Sequence, residues 1–238
     1  MAGNIIAVVQ ARMGSTRFPG KVLKEIMGKS LLQILIERLC QAKRLSQIVV
    51  ATSDKERDEP IVTLAQELGI DVVRGGESDV LGRYQLANEI YDPDAIVRIT
   101  GDCPLIDPEI VDRVVAVYEK NLVDYVSNVS PPTWPDGLDV EVIKARALSR
   151  ASAEATCDYD REHLTNYIQM DNSFSKMNVT NKQDLSGERW TVDYPADFEK
   201  VKEVIEYFSP SLAFGWSDVL RLQEKVRPIL QDSEIERD

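Results

Sequence analysis

From residue 4 to about residue 120, short apolar runs rich in β-branched residues alternate with amphipathic helical stretches. That alternation restricts the chain more than any other feature. Strands joined through helices cross over right-handedly and build a mostly parallel α/β sheet. Strands are expected at Ile5 to Val9, Gln47 to Ser53, Ile70 to Arg74 and Ala95 to Thr100. Helices are expected from Leu31 to about Arg44, from Pro60 to Gly69, over Val80 to Tyr91 and from Pro108 onward. Two of them announce their starts: Ser30 and Gln33 form an S-x-x-Q capping box, and Asp107 is an N-cap with Pro108 at the first helical position. In open sheets of this kind ligands bind beyond the carboxyl ends of the strands.

The second half is less regular. Strands are expected at Asp124 to Val129, Leu138 to Ile143, Lys176 to Val179 and Arg189 to Asp193, with a turn-rich Ser130 to Gly137 loop between the first two. Helices are expected at Ala145 to Ala155, at Arg161 to Ile168, after Pro195, and from about Ser217 until just before Pro228. No stretch reads as an interdomain linker. Residues 1–230 are therefore taken as one domain, with a half at about 4–120, a half at about 121–230 and a mobile tail at 231–238.

The first strand opens directly into Gln10-Ala11-Arg12-Met13-Gly14-Ser15-Thr16-Arg17-Phe18-Pro19-Gly20-Lys21. From Arg12 to Lys29 five basic residues face a single acidic one, Glu25, although the chain as a whole carries a net charge of -12. A basic, glycine-punctuated loop in an acidic protein suits a phosphate-bearing ligand, because glycine lets the backbone approach while Arg and Lys supply counter-charge. It is not a P-loop: the spacing between Gly14 and Gly20 is one residue too long, and Val22 follows Lys21. An ordinary surface loop with solvated charges is the alternative. The acidic balance excludes general nucleic-acid or anionic-membrane binding, so the anion specificity is local. Three widely spaced cysteines fit a reduced cytoplasmic protein without a zinc site, and the five-residue N-terminal apolar run is too short to span a membrane or to be a signal peptide.

Asp102 should emerge where the fourth strand ends, and Asp193 takes the same kind of position after Arg189 to Val192. Carboxylates so placed hold Mg²⁺ against phosphate oxygens. The plainer readings are a turn aspartate for Asp102 and a helix N-cap for Asp193, Asp197 being too far inside the helix to cap it.

Together, Gln10 to Lys21, Thr100-Gly101-Asp102-Cys103-Pro104-Leu105 and Thr191-Val192-Asp193-Tyr194-Pro195-Ala196-Asp197 resemble the cytidylyltransferases that activate acidic sugars, the acylneuraminate and 3-deoxy-manno-octulosonate enzymes. Within them, Asp79 to Tyr84, Gly137-Leu138-Asp139-Val140-Glu141 and Arg161-Glu162-His163 are most similar to the spore coat polysaccharide biosynthesis protein F branch. The resemblance implies a three-layer nucleotide-diphospho-sugar transferase fold, GT-A-like and Rossmann-like, with a mostly parallel mixed sheet. It implies CMP transfer from CTP to a sugar hydroxyl with loss of pyrophosphate, for surface polysaccharide or glycoconjugate synthesis, with Mg²⁺ as cofactor and a homodimer as the assembly. Carried over by position, Arg12, Lys21 and Asp102 become catalytic, and Ala11, Gly14, Ser15 and Arg17 join Arg12 and Lys21 at the nucleotide. Asp102 and Asp193 become the metal ligands.

Other residues are placed by chemistry. Asp54 follows the second strand and approaches the nucleotide, and Arg83 reaches substrate anions or is consumed in a salt bridge, as is Arg98. Asp139 and Glu141 share a strand face by period two, either turned inward to sugar hydroxyls or a cation, or solvated on an edge strand. Turned inward, they suit a neutral or amino sugar better than an acidic one. Glu162 and His163 fall beside the sugar, His163 as a base or as a structural histidine. Two other activities share the features: a glycosyltransferase using a nucleotide-sugar donor, for which Asp139-Val140-Glu141 only approximates a D-x-D motif, and a non-catalytic nucleotide-sugar-binding subunit.

Overall fold

The computed structural model describes residues 3–121 and 123–235, with side chains through residue 225. Nine strands and nine α-helices follow one another among these residues. The strands are β1 (Ile5–Gln10), β2 (Glu25–Ile26), β3 (Lys29–Ser30), β4 (Gln47–Ser53), β5 (Asp71–Gly75), β6 (Ala95–Thr100), β7 (Tyr125–Ser127), β8 (Glu141–Lys144) and β9 (Lys176–Asn178). The helices are α1 (Leu31–Leu39), α2 (Glu59–Glu67), α3 (Val80–Tyr91), α4 (Pro108–Asn121), α5 (Ala145–Glu154), α6 (Asp158–Glu162), α7 (Asn166–Met170), α8 (Pro195–Phe208) and α9 (Trp216–Ile235).

Seven strands form one mixed sheet in the order β5-β4-β1-β6-β8-β7-β9, and β2 and β3 form a separate hairpin. β1 pairs in parallel with both β4 and β6, while β8 runs against its neighbours β6 and β7. The expected three-layer α/β architecture is present because β1 has two apolar faces. Ile5, Ala7 and Val9 pack towards α1, α2, α4 and α8, whereas Ile6 and Val8 pack towards α3, α5 and α7. A strand buried on both faces reads as a continuous apolar run, as this one does.

The caps form largely as the sequence indicates. Ser30 Oγ accepts from Gln33 N at 3.1 Å, but the Gln33 amide turns to Glu37 instead of completing the box, and α1 ends at Leu39 rather than near Arg44. Asp107 Oδ1 accepts from the backbone of Glu109 and Ile110, and its Oδ2 accepts from Trp216 N, tying the start of α4 to that of α9.

Four further expectations fail. The single helix at Arg161 to Ile168 is two short helices broken at His163. Arg161 is held by the carbonyls of Ser152 and Ala155 and by Asp79, which fixes α6 against α5 and α3. The strand at Arg189 to Asp193 is an irregular segment attached by single bonds, Trp190 N to Asp136 O and Val192 N to Asp102 O. The strand expected from Leu138 begins at Glu141, because Gly137 at φ 110 turns the chain against Trp190. α9 runs past Pro228, where it was expected to end, so residues 231–235 of the expected tail are helical and 236–238 lie outside the described residues.

Gly101, the first residue after β6, has backbone on its open side: a Cβ there would sit 2.8 Å from Gln10 O and 3.1 Å from Ala11 Cβ. Gly101→Ala should therefore push the ends of β1 and β6 apart and cost about 1–3 kcal/mol, read as a lowered urea midpoint at unchanged slope.

Candidate active site

The carboxyl ends of β1 and β6 open onto a cavity of about 570 Å³, within the size range of small-molecule sites. Its walls include most of the residues selected from sequence: Ala11, Arg12, Gly14, Ser15, Arg17, Lys21, Arg83, Asp102, Asp139, Glu162, His163 and Asp193. The loop after β1 turns back at Gly20, whose φ of 67° needs a glycine, and this delivers Lys21 under the cavity floor.

Lys21 is only 7% exposed, and its ammonium donates to Asp102 Oδ2 at 2.9 Å, Asp193 Oδ1 at 2.9 Å and Val192 O at 2.6 Å. Burial alone would depress its pKa, but the two carboxylates more than offset this and hold it above the usual lysine value. Asp193 also accepts from Arg17 at 2.7 Å through the same oxygen and from Arg189 at 2.7 Å through the other. Against the opposing effect of burial, Lys21, Arg189 and Arg17 keep this carboxyl below its ordinary range.

Asp193 is free for this because Asp197 performs the capping after all, accepting from the backbone N–H of Asp193 and of Tyr194 at 3.0 Å each from inside α8. The two aspartates thus converge on one point from separate elements. No cluster of three or more His, Cys, Asp or Glu with metal-binding geometry occurs among the described residues. Two carboxylates at the cavity wall nevertheless suit a divalent cation, which takes one or two protein carboxylates plus phosphate and water and would share these two with the Lys21 ammonium.

Arg12 is half-exposed and reaches Glu162 at 3.7 Å, and His163 is exposed against the Tyr159 ring. Arg83 is 3% exposed and donates to Gly76 O and Glu77 O, while its Nε has no partner among the described residues. It is in no salt bridge among the described residues, and burial lowers its pKa. It stands as a buried cation at the cavity wall.

Two selected residues lie elsewhere. Asp54 lines a neighbouring depression of about 400 Å³ with Lys55, Gly76, Glu77 and Ser78, which meets the main cavity at Arg12. Glu141 is 2% exposed and lies beneath the cavity rather than in it, bonded to Arg98 and to the Tyr125 hydroxyl. β8 is flanked by β6 and β7, so Glu141 is neither a solvated edge residue nor in reach of a ligand. Asp139, two residues earlier, precedes the paired part of the strand and does line the cavity. Trp134 is packed in the core against Trp216 and donates to Val179 O.

Sequence reasoning passed over Asp136 and Arg189. Asp136 sits in a proline-rich loop, and Arg189 lies in a segment whose sequence reads as a strand. Arg189 bridges Asp136, Asp193 and Asp197, and the spacing of Arg189, Asp193 and Asp197 by four residues was the available signal.

The cytidylyltransferase family profile matches residues 6–225. An uncharacterized protein of Methanocaldococcus jannaschii is 40% identical over 86% of this chain and 84% of its own length. The spore coat polysaccharide biosynthesis protein SpsF of Bacillus subtilis is 34% identical over 85% of this chain and 87% of its own. Among solved structures, a cytidylyltransferase from Leptospira borgpetersenii superposes with a TM-score of 0.91 at 33% identity, covering 96% of this chain and 97% of that one.

Proposed function

The chain belongs to the cytidylyltransferase family, a class of nucleotidyltransferases, and we propose that it transfers CMP from CTP to a sugar hydroxyl with release of pyrophosphate, for the synthesis of a surface polysaccharide or glycoconjugate. The observation that carries this reading is the convergence of Lys21, Asp102, Asp193 and Arg17 at one end of a cavity whose floor is the β1 loop.

Reaction at the α-phosphorus of a triphosphate asks little covalent chemistry of the protein; it asks for positioning and for neutralisation of charge on the leaving pyrophosphate. Arg12, Arg17 and Lys21 supply fixed positive charge along the loop, and the buried Arg83 adds a cation with an unused donor. Ala11, Gly14 and Ser15 give the nucleotide a backbone-lined approach. Asp102 and Asp193 would hold Mg²⁺, which when bound polarises phosphoryl oxygens and lowers the pKa of a coordinated hydroxyl. Glu162 and His163 border the acceptor side. No helix among the described residues is long and apolar enough to cross a membrane. A cytoplasmic homodimer is part of this reading, with the exposed Tyr159 and Met170 as contact candidates.

The test is pyrophosphate release from CTP with Mg²⁺ and a panel comprising 3-deoxy-manno-octulosonate, N-acetylneuraminate, glucose and glucosamine, with UTP and ATP as controls. Release with CTP that falls at least about 10²-fold in Asp102→Asn, while CTP still binds, is the expected outcome. Consumption of a CMP-sugar with transfer to an acceptor would overturn it.

A further inference from the structure

Of the five carboxylates lining the cavity, four are spoken for. Asp102 binds Lys21, Asp136 binds Arg189, Glu162 meets Arg12, and Asp193 binds Lys21, Arg17 and Arg189. Asp139 alone has no hydrogen bond or ion pair through its side chain among the described residues. An unpaired, largely buried carboxylate is costly to keep. It persists here because the loop carrying it is fixed on both sides: Asp136 N bonds to Glu188 O and Leu138 N to Pro135 O before it, and Val140 N bonds to the Asn128 side chain after it.

We propose that Asp139 is the general base that takes the proton from the attacking acceptor hydroxyl, an inference that rests on the cytidylyl-transfer reading. As the acceptor oxygen forms its bond to the α-phosphorus, its O–H bond breaks and the proton passes to an Asp139 carboxylate oxygen. The bond from the α-phosphorus to the bridging oxygen breaks, and its electron pair leaves with pyrophosphate. The carboxyl then returns the proton to water before the next turnover.

The surroundings suit the task. A general base must be ionised before the step and still basic enough to take the proton, which a pKa near the working pH provides. Burial, reinforced by Asp136 on the same loop, Glu141 on β8 and Asp102 after β6, raises the Asp139 pKa to about 7. Arg98 opposes this only partly, since it is already bound to Glu141 and to Gln10. The remaining titratable neighbour, the buried Cys103 thiol, is raised well above its ordinary value by burial and by Asp102 and Asp139, and so adds no charge. The other candidates are worse placed: Glu162 is engaged by Arg12, and His163 is solvent-exposed against Tyr159.

The experiment measures kcat and KM against pH for the wild type, Asp139→Asn and His163→Gln, using whichever acceptor in the panel supports pyrophosphate release. Wild-type kcat should rise with pH as Asp139 ionises, the ionised form being active. Asp139→Asn should lower kcat by about 10²–10³-fold, leave the KM for CTP within a few-fold, and lose the rising limb. His163→Gln should keep the limb. Asn can still bond a hydroxyl, so an Asp139→Asn enzyme with near-normal kcat, a raised acceptor KM and an intact limb would make Asp139 only a binding residue and overturn the assignment. A wild type inert towards CTP with every acceptor at every pH would overturn the cytidylyl-transfer reading, and the base with it. Circular dichroism and the urea midpoint of Asp139→Asn separate either result from misfolding.

Discussion

Lys21→Met should reduce kcat by about 10³-fold, comparable to the loss of a preorganised donor at an oxyanion site. Its ammonium is fixed by three oxygens at 2.6 to 2.9 Å, so all three N–H donors are engaged and it meets the phosphates as a fixed positive charge. Methionine matches the length and apolar stem but removes the charge. Asp102 then loses its ion-pair partner and Asp193 keeps only Arg17 and Arg189. Two carboxylates facing each other without the intervening cation repel, so the variant should also lose about 1–3 kcal/mol of stability. The two effects separate by measurement. Stability is read from urea denaturation and should recover on adding Asp102→Asn to Lys21→Met, whereas turnover should not. If Lys21→Met kept wild-type turnover, Lys21 would be a structural tie between the β1 loop and the Asp193 segment, and the triphosphate reading of the loop would fail.

Much of this site is legible from residues alone because it hangs on the ends of β1 and β6. Both are continuous apolar runs whose ends are marked in the chain, by Gln10 in one case and Gly101 in the other, so Lys21 and Asp102 could be placed without coordinates. Glu141 shows where such reasoning stops. Period two groups it with Asp139, but the strand begins only at Glu141, and depth depends on register: Arg98 lies directly opposite Glu141 across the β6 and β8 pairing. No local signal shows that one carboxylate reaches the cavity and the other is bonded beneath it. The segment from Arg189 to Asp193 misleads for a related reason. Trp190 and Val192 alternate with polar residues as in a strand, and both are buried, yet the chain runs alongside Asp136 and Asp102 through isolated bonds with no ladder. The helix expected at Arg161 to Ile168 breaks because Arg161 bonds to α5 and Asp79 while Leu164 and Ile168 turn into the core. These are tertiary contacts, and periodicity carries no information about them.

The buried pair under the cavity should give the largest stability effect. Glu141 receives bonds from Arg98, from the Tyr125 hydroxyl and from Gln169 Nε2 at 3.5 Å, and Arg98 also donates to Gln10 at 3.2 Å. Glu141→Leu removes the counter-charge and leaves the largely buried guanidinium with Gln10 as its hydrogen-bond partner and Asp139 as its nearby carboxylate. Breaking one partner of such a pair costs about 3–5 kcal/mol. For a chain of this length that is a fall in Tm on the order of 10 °C. The companion test is Arg98→Met in the same chain: if the penalty is the uncompensated charge, the double variant should regain most of the loss, whereas a penalty from lost packing should add. The pH dependence has a fixed sign. Burial raises the Glu141 pKa, but Arg98 and the hydroxyl bonds from Tyr125 and Thr165 outweigh it, and the carboxyl ends below its ordinary 4.5. A carboxyl lowered on folding contributes stability that is present above the unfolded value and lost as pH falls through the folded one. Wild-type stability should therefore drop more steeply than that of Glu141→Leu once pH goes below 4.5, narrowing the gap between them. Equal slopes for the two proteins in that window would mean that Glu141 is not held as a carboxylate by Arg98. The charge pair would then not be what fixes β8 against β6.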